Sequence, residues 1–212
     1  MKTLYFAAIL LFTITFQLEA QTKIGVYTSV DNSSFSGEGT RNIDYYFGRG
    51  FVVGLQLKFP IAEDVFLSLE PAYFQGNNGI SERDTIDLEV VHDHPVTNRS
   101  ISLPIKLNIY FAPRWYAVGG FDFSYFISAD LERFDNTIDI SSEFSSFNLS
   151  ALFGIGHRFP IKRSDLLLEF AYLQGLNNLS TNDHEDGYLR RVRTTSTRLS
   201  VIYLIPLGKS NE

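Results

Sequence analysis

The chain has 212 residues, with 24 Asp and Glu against 18 Lys and Arg for a formal net charge of -6. That balance lacks the basic footprint of a nucleic-acid binder, and the absence of cysteine excludes a disulfide framework and a lipoprotein anchor. Its 44% hydrophobic and 15% aromatic content suits one β-rich domain, soluble or membrane-spanning alike, because only alternate residues of a barrel strand face lipid.

Residues 1–20 read as a secretory signal peptide. Lys2 gives a positive start, Leu4 to Phe16 an apolar run, and Leu18-Glu19-Ala20 a small residue for cleavage before Gln21. The expected mature domain is 21–212. Cleavage removes one Lys and one Glu, so its net charge stays at -6.

Eight segments then alternate with the period of two that marks a strand with unlike faces. They lie at 23–29, 51–59, 65–74, 100–111, 115–127, 146–159, 166–174 and 195–205. The fourth is the clearest. Ile101, Leu103, Ile105, Leu107, Ile109 and Phe111 share one face, and Ser102, Pro104, Lys106, Asn108 and Tyr110 the other. Its apolar face is uncharged over the length a tilted strand needs to cross a bilayer. Pro71 and Pro104 lie inside strands, where a missing donor predicts a bulge or bend near each. No segment of ten or more residues after the signal has helical period.

The connections alternate in length. Three are short, at 60–64, 112–114 and 160–165; four are long and polar, at about 30–49, 75–97, 128–145 and 175–194. This predicts an all-β fold, an eight-stranded antiparallel up-and-down transmembrane β-barrel with short periplasmic turns and long extracellular loops. Each short turn follows a phenylalanine, in KFPI, FAPR and RFPI, so Phe59, Phe111, Trp115, Tyr116 and Phe159 form the expected aromatic girdle at that interface. Tyr45, Tyr46, Phe51, Tyr73, Tyr125 and Phe147 are expected towards the other. Period alone also allows a lipocalin-like secreted barrel with its apolar face inward. The lack of cysteine, the aromatics at strand ends and the uncharged apolar faces favour the membrane.

The segments SLPIKLNIYF at 102–111, YAVGGFDFSYFISA at 116–129, FNLSALFGIGHRFP at 147–160 and LLLEFAYLQGLNNLS at 166–180 resemble the outer-membrane β-barrel family that includes PorT-like proteins. The resemblance spans residues 50–207. It departs at the end, where such barrels often finish on an aromatic residue and this chain runs on from Pro206 to Glu212. The resemblance implies an outer-membrane location, and one branch of the family is linked to protein secretion. Fold alone carries no function here.

On the polar face, the charges from the second strand to the eighth read Lys58, Glu70, Lys106, Asp122, Arg158, Glu169 and Arg198, alternating in sign. An eight-stranded barrel has room inside for side chains and no open pore, so these charges are expected to pair as a polar plug. Lys106 is expected to pair with Glu70 on one neighbouring strand and Asp122 on the other. The rival reading is a gated ion or proton path.

The loops are acidic, with Glu82, Asp84, Asp87, Glu89 and Asp93 in one and Asp130, Glu132, Asp135, Asp139 and Glu143 in another. Their spacing matches no calcium-loop pattern, and solvated loops are the simpler reading. His92 and His94, with His184 further on, lack a fixed third ligand for zinc. Arg190, Arg191 and Arg193 face the run Asp183-His184-Glu185-Asp186 within one loop, where they could pair across it or meet outer-leaflet phosphates. No GxSxG, HExxH or phosphate loop occurs, and His157 falls on the lipid side beside a turn. The expectation is therefore a monomeric, non-enzymatic outer-membrane protein without metal or cofactor, in contact with lipid and lipopolysaccharide. It would act as a structural or interaction module through its loops. An accessory role in an export machine, with envelope or secretion-system partners, and a small pore or ligand carrier are the alternatives.

Overall fold

A computed structural model describes residues 22–37, 43–83, 90–133, 136–181 and 192–207. The signal segment, most of the acidic run 82–93 and the charged loop 183–191 lie outside the described residues or their described side chains. The strands are β1 (Lys23–Gly37), β2 (Ile43–Tyr46), β3 (Gly48–Ala62), β4 (Val65–Leu69), β5 (Ala72–Arg83), β6 (Val90–Tyr110), β7 (Trp115–Arg133), β8 (Asn136–Asp139), β9 (Phe147–Ile161), β10 (Ser164–Gly175) and β11 (Val192–Pro206). Apart from one 3-10 turn at Ser141–Glu143, the described residues hold no helix.

Eight staves close on themselves, all antiparallel: β1, β3, β4 with β5, β6, β7, β9, β10 and β11, which returns to β1. β4 and β5 are one stave in constant register, interrupted at Glu70 and Pro71. There Pro71 supplies no N–H, and its carbonyl still accepts from Leu55 N at 3.0 Å. Pro104 stands opposite Glu70 at that same break: its carbonyl accepts from Glu70 N at 3.0 Å, its missing donor leaves the pair out of the ladder, and on its other side the pairing with β7 runs on through Asp122 without a shift. The irregularity on that seam lies higher. Arg99 faces Ser128 while Ser100 faces Phe126, so Ile127 is the extra residue of a bulge.

The period of two puts apolar side chains outside. Val26, Phe51, Leu55, Ile101, Phe121 and Phe153 are all exposed, and no charged residue faces outward between the turn end and the level of Arg99. From Ile101 to Phe111 a tilted strand spans about 25 Å, the height of a lipid-facing belt. The bulge marks its upper limit. Beyond Ile127 the inward parity of β7 reverses, Ala129 is buried, and Asp130 pairs outside with Arg99 at 3.2 Å.

The long connections are shorter than their sequence suggests. β5 and β6 stay paired from Gly76 and Asn98 up to Arg83 and Val90, and β1 follows β11 up to Gly37. Above the lipid neither face needs to be apolar, so these extensions leave no alternating signal. Two apolar clusters hold the interior. One, around Tyr27, Val52, Tyr116, Leu167 and Ile202, lines the barrel. The other, around Phe35, Ile80, Val96, Ile140, Phe144 and Leu179, sits under the loops as a lid. Leu179 is brought inward by its carbonyl, which accepts from Ser145 N at 2.6 Å, and by its own N–H, which donates to Val192 at 2.7 Å. Each such side chain taken fully from water contributes about 1.5–3 kcal/mol.

Candidate functional site

All seven charged residues of the alternating series line the lumen, because each holds the inward parity of its stave. Six are buried; Arg158, near the turns, is partly open. They do not pair along neighbouring strands as their order suggests. Lys106 Nζ lies 2.7 Å from Glu70 Oε1 and 2.5 Å from Glu169 Oε1, so its second partner reaches over from β10. Asp122 belongs to a different set. Arg198 donates to it at 3.4 Å and to Asp31 at 3.0 Å. The expected Lys106–Asp122 pair is therefore replaced by a contact across the lumen. An eight-stranded barrel is narrow enough for side chains from non-adjacent staves to meet.

A third set sits at the turn end, where Asp165 accepts from Arg158 Nε at 2.7 Å and from Lys23. Asp31, Asp165 and Lys23 are the inward charges missing from the alternating series. Asp31 lies past the point where β1 alternates clearly, and Asp165 sits at the edge of a turn. Their inward parity, shared with Ser29 and Leu167, was the available signal.

Around these sets the polar side chains close the gaps. Gln56 donates to Glu70 at 2.5 Å, Tyr116 OH to Glu169 at 3.2 Å, and Asn108 to Ser68 at 2.7 Å. Tyr116 requires a correction: it is fully buried inside the barrel and is no part of an outer girdle. It shares the even parity of Asp122 and Ser124, which outweighs its position beside the turn. Its ring lies over Gly156 on the paired strand, where a Cβ would stand 2.0 Å from the ring. Phe59, Phe111, Trp115 and Phe159 do face outward at the turn end. His157 joins them, with its ring centre 4.6 Å from Trp115 and 4.3 Å from Phe159.

Lys58 stands apart from the carboxylates. Its ammonium donates to Tyr110 OH at 2.9 Å and lies 4.8 Å, 4.8 Å and 5.1 Å from the ring centres of Phe66, Tyr110 and Tyr116. Below it, towards the turns, is a chamber of about 350 Å³. Above the plug a second space of about 60 Å³ lies between Asp31, Asn78, Asp122 and Asn148. His94 is buried near the rim, its Nδ1 3.3 Å from the Glu132 carbonyl oxygen. Among the described residues no group of three His, Asp or Glu is placed to hold a metal ion.

No curated protein matches the sequence. Among solved structures, the chain is similar to Ail from Yersinia pestis at 11% identity, covering 87% of this chain and 99% of that one with a TM-score of 0.48. It is similar to OprG from Pseudomonas aeruginosa at 14% identity, covering 89% and 94% with a TM-score of 0.45. Neisserial surface protein A is similar at 12% identity, covering 84% and 95% with a TM-score of 0.47. The model of the outer membrane protein β-barrel domain family matches residues 17–181, without singling out a PorT-like branch. The match covers more than half of the chain, its eight antiparallel staves close into a ring, and the chain belongs to the outer membrane protein β-barrel domain family.

Proposed function

We propose that this protein is a closed, non-enzymatic barrel of the outer membrane that works as a structural or interaction module through the end opposite its short turns. The observation that carries this reading is the filled lumen. Two buried ionic sets, Glu70–Lys106–Glu169 and Asp31–Arg198–Asp122, occupy its middle, and the Phe35–Phe144–Leu179 lid covers its upper end. A solute would have to break buried pairs at several kcal/mol each. Above the lid, the raised rim offers a surface for contact with other molecules, stiffened by the paired upper halves of β5, β6 and β7.

The test is conductance in planar bilayers together with surface labelling. Purified protein is expected to give no single-channel steps, and an epitope placed between Arg83 and Val90 should be reached by antibody on intact cells. Stable conductance steps would overturn the closed-barrel reading. Crosslinking through the turn residues Asp64 and Arg163 to a periplasmic or inner-membrane protein would favour the export role instead.

A further inference from the structure

The charged side chains described along the lumen cancel as a whole and not locally. Glu70–Lys106–Glu169 and Asp31–Arg198–Asp122 each hold two carboxylates to one cation. Lys23–Asp165–Arg158, at the turn end, holds two cations to one carboxylate. Lys58 adds a further cation at that end, and among the described residues no carboxylate lies within ion-pair distance of it. It is 3% exposed. An ammonium has three donors; one goes to Tyr110, and no described acceptor takes the other two.

This side chain lines the chamber of about 350 Å³, which opens among the short turns. Phe66, Tyr110 and Pro113 give it an apolar wall, while Glu63 and Asp64 stand exposed in the β3–β4 turn that borders it. The volume falls at the lower end of the range for small-molecule pockets, about 300–1,000 Å³.

We propose that the turn-end chamber binds a small organic monocarboxylate, its carboxylate on Lys58 and its apolar body against Phe66, Tyr110 and Pro113. Three features select this class. Lys23 and Arg158 also line the chamber but share Asp165, so Lys58 is the cation there without a carboxylate partner among the described residues, and its spare donors match one negative charge. The apolar wall adds nothing for a bare inorganic anion, and a body of the right size covers it. Glu63 and Asp64 at the border repel multiply charged anions more than a monoanion. The site does not depend on what the rim contacts.

The experiment titrates benzoate into the mature protein in detergent micelles, with benzyl alcohol and inorganic phosphate as comparison probes. Calorimetry gives affinity, and the Lys58 side-chain resonance of ¹⁵N-lysine protein gives the place. The expected result is saturable benzoate binding that shifts the Lys58 resonance. Benzyl alcohol and phosphate should bind more weakly, and Lys58→Met should weaken benzoate by about tenfold or more. Absence of saturable benzoate binding, or a Lys58 resonance that does not move, would overturn the proposal, as would phosphate binding tighter than benzoate. Because the resonance is read on the unaltered chain, the test stands even if Lys58→Met does not fold.

Discussion

Lys106 Nζ has two carboxylate oxygens within 2.7 Å and is cut off from water. Its replacement by methionine keeps the stem and leaves Glu70 and Glu169 buried with one positive charge fewer. Breaking a buried set in this way costs about 3–5 kcal/mol. Lys106→Met should therefore unfold at a markedly lower temperature, read by heat-dependent gel mobility, and should still conduct nothing because the lid is untouched. Adding Glu70→Gln to it should restore part of the loss; an unchanged midpoint in the single variant would deny the double pair. At this scale the sequence was half legible. The inward parity of Lys106, Glu70 and Asp122 could be read from alternation, because period two is local. Which carboxylate meets which cation depends on the width of the lumen and on β10 lying across from β6, neither of which any stretch of residues encodes.

At the scale of the element, the pairing of β7 with β9 sets Tyr116 directly against Gly156, and the tyrosine ring fills the place of the absent side chain. Gly156→Ala would drive that ring off Glu169 and into the space around Lys58. Overpacking of this kind costs about 1–3 kcal/mol. The expected outcome is a lower unfolding midpoint together with weakened near-UV dichroism from the displaced tyrosine. An equally stable variant would mean that the ring has room to move. The lipid-facing middles of the staves were legible because one face must be apolar and uncharged there. Their upper ends were not, since β5 and β6 above Gly76 and Asn98 serve no lipid face. The Ile127 bulge also escaped, because an extra residue is defined only against its partner strand.

For the whole molecule, closure is the joining of β1 to β11, and Asp31 faces Arg198 directly across that seam. The pair lies 3.0 Å apart and is buried. A double-mutant cycle of Asp31→Asn and Arg198→Met should give a coupling energy of at least about 1.5 kcal/mol, measured by urea unfolding in micelles. Simple additivity would show that the seam is held by its backbone ladder alone. The ring of eight staves was legible from the alternation of short and long connections; the seam's own ion pair was not, because its two residues lie at opposite ends of the chain.

The pattern of buried charge also bears on how the barrel can be made. Glu70 and Glu169 share Lys106 across almost a hundred positions of sequence, and Lys23 awaits Asp165 over 142. Until β11 is in place, Asp31 and Asp122 have no counterion, and the hydrocarbon of the bilayer offers none. A partly inserted sheet is therefore held at the water boundary by its own inner face. Neutrality arrives only with the last strand, which makes entry into the membrane and completion of the ring a single event.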